Sequence, residues 1–229
     1  MREIVLDTET TGLDPAQGHK IVEIGCVELI NHTPTGRTFQ EYLNPERLMD
    51  EDVIAVHGIT NEFVKDKPIF KEVVDKFIEF IGEDSKLVIH NAAFDMKFLN
   101  AELESCGYPK LSYERVVDTL IIARQKFPGS RVNLNELCKR FNVDASARTV
   151  HGALLDSELL AEVYLELIGG REPGLVLATQ EKKEKKEQVK IEVKRIYHEP
   201  RSFPATDEEL LAHEEFLKKI PNHFWGDNL

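Results

Sequence analysis

An α/β domain with a mixed sheet is the fold class this sequence predicts, on three observations. The first third holds three apolar, β-branched-rich runs separated by short turn material. The middle alternates short apolar strands with helical stripes. After Gly170 the chain turns charged and of low complexity, so a domain ends there and an appendage begins.

The first strand is expected at Glu3 to Leu6, ending where Asp7 begins a polar stretch. The second is "KIVEIGCVELI" from Lys20, and the third is "RTFQEYLN" from Arg37. Turn residues at Gly12 to Gly18 and at Asn31 to Gly36 separate them, and such short links favour an antiparallel meander. Phe70, Val73, Val74, Phe77, Ile78 and Ile81 keep the spacing of a core-facing helical stripe, which Gly82 ends. A strand "KLVIH", a helix from about Phe94 to Cys106 and a strand into "VVD" come next. Helices are then expected near Thr119 to Phe127, Asn133 to Phe141 and Gly152 to Ile168, the last closed by Gly169 and Gly170.

With 229 residues and 41% hydrophobic content, the chain can bury one full core and still carry an appendage. Cys26, Cys106 and Cys138 are odd in number and widely spaced, which excludes a disulfide framework and a thiolate zinc site as expectations. No run approaches the roughly 18 apolar residues of a membrane span, and the first strand comes almost immediately after Met1. The expected setting is the reducing cytoplasm, without membrane contact. The net charge of −12 argues at face value against nucleic acid. Residues 1–170 carry 29 acids against 18 Lys and Arg, so the acidity belongs to the globular part.

Three acidic stretches concentrate the chemistry. Asp7 and Glu9 sit at a strand exit, where side chains two apart point the same way if the strand continues. In "HNAAFD", Asp95 falls in the first turn of a helix, an ordinary place for an acid. In "HGALLD", Asp156 lies among Leu155, Leu159, Leu160 and Val163, where an ionised carboxylate is costly unless paired or bound to metal. No Lys or Arg occurs between Thr149 and Gly170 to pair with it. His151, five residues earlier, belongs on the entering loop rather than on the same helix face. Four hard carboxylates with one histidine and no thiolate select Mg²⁺ or Mn²⁺ over zinc. Four carboxylates around two such ions form a clamp suited to phosphodiester cleavage, with the histidine as general base.

"DTETTG", "NAAFD" and "HGALLD", in this order, resemble the three motifs of the histidine branch of the DEDD 3′→5′ exonucleases. That resemblance covers about residues 1–170 and implies a ribonuclease H-like mixed sheet flanked by helices. Within the branch, "AVHGIT", "FPG" and "RTVHGALLDSELLAEVY" are similar to the epsilon, or proofreading, subunits of bacterial DNA polymerase III. The resemblance implies that Asp7, Glu9, Asp95 and Asp156 hold two Mg²⁺ or Mn²⁺ and that His151 is the general base. It further implies that Thr10, Leu13, Asp52 and His57, with Asp7, Glu9 and Asp156, contact the 3′-terminal nucleotide of DNA. Asp118 in "VVDTL" would support the ligands, or would only cap the following helix. A free-standing exonuclease on single-stranded DNA or RNA is the alternative, but it needs a basic stripe that the sequence lacks.

The appendage supports the subunit reading. Residues 171–205 are expected as a flexible linker: "QEKKEKKEQ" cannot bury apolar area, while Val189, Ile191 and Val193 alternate as in an added strand. "REPGLVL" stands where the family carries a sliding-clamp motif, but the usual leading glutamine is absent, leaving Leu175 and Leu177. Residues 206–229 are expected as a docking helix: Thr206 and Glu209 have capping-box spacing and Pro221 stops the turn. This end resembles the segment with which the family grips the polymerase (alpha) subunit, and Leu210, Phe216, Leu217, Ile220 and Trp225 are its expected docking residues.

Overall fold

The computed structural model describes residues 1–146, 148, 150–169 and 204–219. The chain divides into two units, Met1–Leu177 and Ala178–Leu229. The first contains a five-stranded sheet in the order β3-β2-β1-β4-β5. Its strands are β1 (Arg2–Thr10), β2 (Ile21–Ile30), β3 (Thr33–Tyr42), β4 (Lys86–Ile89) and β5 (Val116–Asp118). β1, β2 and β3 form the antiparallel meander, whereas β4 runs parallel to β1 and to β5. This is the ribonuclease H-like mixed sheet that the motifs imply.

Alternation along β1 divides the core. Ile4 and Leu6 pack on one face with Phe77 of α3 (Phe70–Ile81) and with Phe98 and Leu99 of α4 (Ala92–Ser105). Val5 points to the other face, with Val27, Val88 and, from α7 (Ala153–Leu167), Leu160 and Tyr164. α5 (Thr119–Lys126) and α6 (Leu134–Phe141) complete that second layer through Ala123 and Leu137. By the same alternation, Asp7 and Glu9 share the α7 side with Val5.

The strand and helix boundaries differ from expectation in three places. β1 does not stop at Leu6 but continues through Asp7 and Glu9 to Thr10, because β2 supplies partners as far as Ile21. β3 begins at Thr33 rather than Arg37: only Asn31 and His32, both with positive φ, form the turn. Two short helices, α1 (Glu51–His57) and α2 (Asn61–Val64), fill the segment before α3 for which no element is expected.

In the second unit, α8 (Asp207–Leu217) has the capping box: Thr206 Oγ1 accepts from the Glu209 N–H, and the Glu209 side chain accepts from the Thr206 N–H. Leu210 and Phe216 are exposed on it and Leu217 is half-buried. Ile220 and Trp225 lie outside the described residues, as do Leu175, Leu177, Val189, Ile191, Val193 and nearly all of the expected linker. Among the described residues no helix is long and apolar enough to cross a membrane.

Candidate active site

Parallel β1 and β4 end at the same edge of the sheet, and the chain leaving each strand converges there on one site. β1 contributes Asp7 and Glu9. After β4, Asn91 takes the left-handed conformation at φ 69°, turning the chain sharply into α4 and placing Asp95 in its first turn. Asp118 Oδ1 and Oδ2 accept from the backbone N–H groups of Asn91 and Ala92, and Oδ1 also caps α5 through Leu120 N–H. Asp118 therefore joins two helix starts and does not reach the cavity. Thr8 closes the junction: its N–H and hydroxyl both donate to Asp95 Oδ1, at 3.0 and 2.7 Å.

α7 brings the remaining acid across from β2. Glu23 Oε2 accepts the Ala153 N–H at 3.0 Å, so an acid on the sheet satisfies the first donor of the helix. Ser157 Oγ donates to Gly25 O at 2.9 Å. Asp156, one residue before Ser157, is thereby turned toward Asp7 and Glu9. His151 precedes the helix on a loop held by its own N–H donating to Val56 O at 3.1 Å. Together Asp7, Glu9, Asp95, His151 and Asp156 line a cavity of about 440 Å³.

Burial dominates the electrostatics. It pushes the Asp7 carboxyl well above the ordinary range, reinforced by the negative charges of Asp95, Glu9 and Asp156. Glu9 is pushed up to about 8 by burial and then by Asp156 and Glu23. Burial raises Asp95 to about 7 against the opposing Thr8 hydrogen bonds. Asp156 is the exception: burial acts upward, but the bonds from His151 and Arg148 outweigh it and hold the carboxyl below its ordinary range.

Arg148 is a site residue that no sequence motif announces. It stands one residue outside the span in which a basic partner for Asp156 is sought, and its Nε and Nη2 donate to the two oxygens of Asp156, the latter at 2.6 Å. The inference that Asp156 lacks a local cation is therefore wrong. Glu23 and Gly25 carry no signal in the sequence either, since a glutamate and a glycine inside a mostly apolar strand form no motif. The residues expected to contact the terminal nucleotide are more dispersed. Thr10 is buried, its hydroxyl donating to Gly12 O, and Leu13 is 79% exposed. Asp52 is exposed on α1, and His57 at its end is buried with Nδ1 accepting from Ile59 N–H. The His57 Nε2 has no partner. None of these four lines the acidic cavity.

The donor set suits a hard divalent cation. Ligand atoms of Glu9, His151 and Asp156 lie within 4.8 Å of one another, and desolvated carboxylates that crowd each other favour a cation between them.

A model of the exonuclease family matches residues 4–164. A DNA polymerase III subunit epsilon from Rickettsia felis is 51% identical over 233 residues, covering 96% of this chain and 97% of the relative. The chain belongs to the epsilon-subunit family of exonucleases. Its Escherichia coli relative, again a DNA polymerase III subunit epsilon, is 46% identical over 229 residues, covering 96% and 93% of the two chains. The epsilon-family fold is similar to the nuclease domain of 3′hExo, a DEDDh family member bound to rAMP, with a TM-score of 0.62 and 24% identity over 73% of this chain and 92% of that one. Exonuclease X in complex with 5′ overhanging duplex DNA gives a TM-score of 0.57 and 25% identity, with the same two coverages.

Proposed function

We propose that this epsilon-family exonuclease removes the 3′-terminal nucleotide of mispaired DNA, using two Mg²⁺ or Mn²⁺ held by Asp7, Glu9, Asp95 and Asp156. The observation that carries this reading is the convergence of Glu9, His151 and Asp156 ligand atoms within 4.8 Å in a cavity that Asp7 and the buried Asp95 also line. Bound divalent ions supply activation of water and stabilisation of the leaving oxygen. His151 accepts the proton of the attacking water at a ring nitrogen; its side chain is 47% exposed and so open to solvent at the cavity mouth. Thr8 fixes Asp95, and Glu23 and Gly25 fix Asp156, so the carboxylates are preorganised by neighbours that need not move.

The terminal nucleotide lies toward Thr10, Leu13, Asp52 and His57. Exposed Leu13 offers an apolar surface to a base, and the unpartnered Nε2 of His57 offers a buried donor. The chain works in the cytoplasm beside a polymerase alpha subunit, held by α8 through Leu210, Phe216 and Leu217 and beyond it by Ile220 and Trp225. Tethering supplies local concentration, which lets an acidic enzyme act on DNA without a basic groove. Contact with a sliding clamp through Leu175 and Leu177 is a further arm of the same assembly.

The test is hydrolysis of a mispaired primer-template by the full chain and by a chain cut after Gly170, each with and without the polymerase subunit. Both should degrade free single-stranded DNA in Mn²⁺ and neither in excess chelator. Only the full chain should co-purify with the polymerase and gain rate on the mispair. Activity in chelator would sink the metal reading, and full-strength polymerase binding by the cut chain would move the interface onto the nuclease fold.

A further inference from the structure

The Arg148 side chain is 7% exposed and that of Asp156 4%, so the pair is nearly closed off from water. The guanidinium is fixed at all three nitrogens. Nε and Nη2 take the two oxygens of Asp156, Nη2 also stands 2.9 Å from His151 Nδ1, and Nη1 donates to Asn135 Oδ1 at 2.6 Å. Asp156 and His151 are two of the three residues whose ligand atoms cluster within 4.8 Å. One cationic NH₂ group thus lies against both of them. A planar fork that engages a carboxylate through two parallel bonds is the strongest geometry a side-chain cation can offer. Arg148 nevertheless sits on a loop, outside any helix or strand, so it can leave without unmaking the fold.

We propose that Arg148 and a divalent cation compete for Asp156, so that Arg148 sets the metal affinity of the site and must be displaced when an ion binds. The inference rests on the reading of this cavity as a metal site. Its logic is that of any exchange: a cation already bound to the ligand lowers the apparent affinity of the next by the share of molecules in which the ligand is taken. Asn135, by holding Nη1, adds to the resident side of that exchange.

The experiment is a titration of the full, chelator-stripped chain with Mn²⁺ alone, with free Mn²⁺ read by electron paramagnetic resonance and melting followed in parallel. Arg148→Gln should bind Mn²⁺ at least about tenfold more tightly than wild type, because a charged competitor with a bidentate hold has been removed. Its ion-free melting temperature should fall and its Mn²⁺-induced rise should exceed that of wild type. Asn135→Leu, which only loosens the arginine, should tighten binding by less. Equal or weaker Mn²⁺ binding by Arg148→Gln overturns the competition while leaving the metal site standing. Should that variant not fold, Arg148→Lys and Asn135→Leu decide, and wild-type affinity in both overturns the proposal. Absence of Mn²⁺ binding in wild type and variants alike overturns the metal reading itself.

Discussion

Gly25 of β2 and Ala153 of α7 touch backbone to backbone: a Cβ on Gly25 would lie 2.2 Å from the Ala153 carbonyl carbon. Gly25 pairs across the ladder with Asp7, so the missing side chain is what lets the helix bearing Asp156 approach the strand bearing Asp7. Gly25→Ala must push α7 outward. Overpacking of this kind costs about 1–3 kcal/mol or more, and here it also separates the two acids. Calorimetry should show lowered stability, and turnover should fall further than stability alone explains. A variant with wild-type activity would show that the acids need not be so close.

Asp7→Ala and Asp156→Ala should both abolish hydrolysis, yet they should differ in stability. Asp7 is raised by burial and by three neighbouring acids, so its removal relieves repulsion in the ion-free protein. Asp156 is the partner of Arg148, and its removal leaves a nearly buried guanidinium with less than its hydrogen bonds. Such an orphaned group costs about 1–3 kcal/mol. Denaturant unfolding in chelator should therefore rank Asp7→Ala at or above wild type and Asp156→Ala below it.

His151 touches the site only from its loop, so His151→Ala should leave the ion-free fold intact and lower turnover by roughly 10²–10⁴-fold, the usual scale of general-base catalysis. Mn²⁺ affinity is the second reading. If it falls in parallel with turnover, His151 is a ligand, and the base is another group.

The ion-free protein should lose stability as pH rises. Glu9 titrates at about 8 against an ordinary 4.5, and Asp95 at about 7 against 3.8. Raised folded values mean that the folded state keeps protons the unfolded chain has released. Their stabilisation is complete below the ordinary values and is lost as pH climbs through 7 and 8. Melting temperature in chelator should fall across that window. Saturating Mn²⁺ should flatten or invert the slope, because cation binding favours the deprotonated carboxylates.

The sheet and its acids are readable where residue pattern and burial agree. β2 is a mostly apolar run interrupted by Glu23 and Glu28, α3 carries a clean stripe, and Thr206 with Glu209 marks the start of α8. The overlooked stretches have patterns that local rules misread. Asp7 and Glu9 look like the end of a strand, although β2 carries the ladder past them. The first half of β3 is exposed on both faces, so no alternation announces it. α1 and α2 span seven and four residues, too short for a stripe. Arg148 escapes because its importance is spatial: nothing in "SARTVHGALLD" tells which way an arginine on a loop will turn.

Ser157 and Gly25 meet across 132 residues of sequence. Closing so long a loop is slow relative to forming hairpins, and it can happen only after the last helix of the nuclease fold exists. A chain still emerging from the ribosome, or clipped anywhere ahead of α7, carries Asp7 and Glu9 but has no Asp156 to face them. If Asp7, Glu9 and Asp156 form the proposed site, cleaving ability arises only when α7 docks on β2, and chains ending ahead of α7 should be inactive.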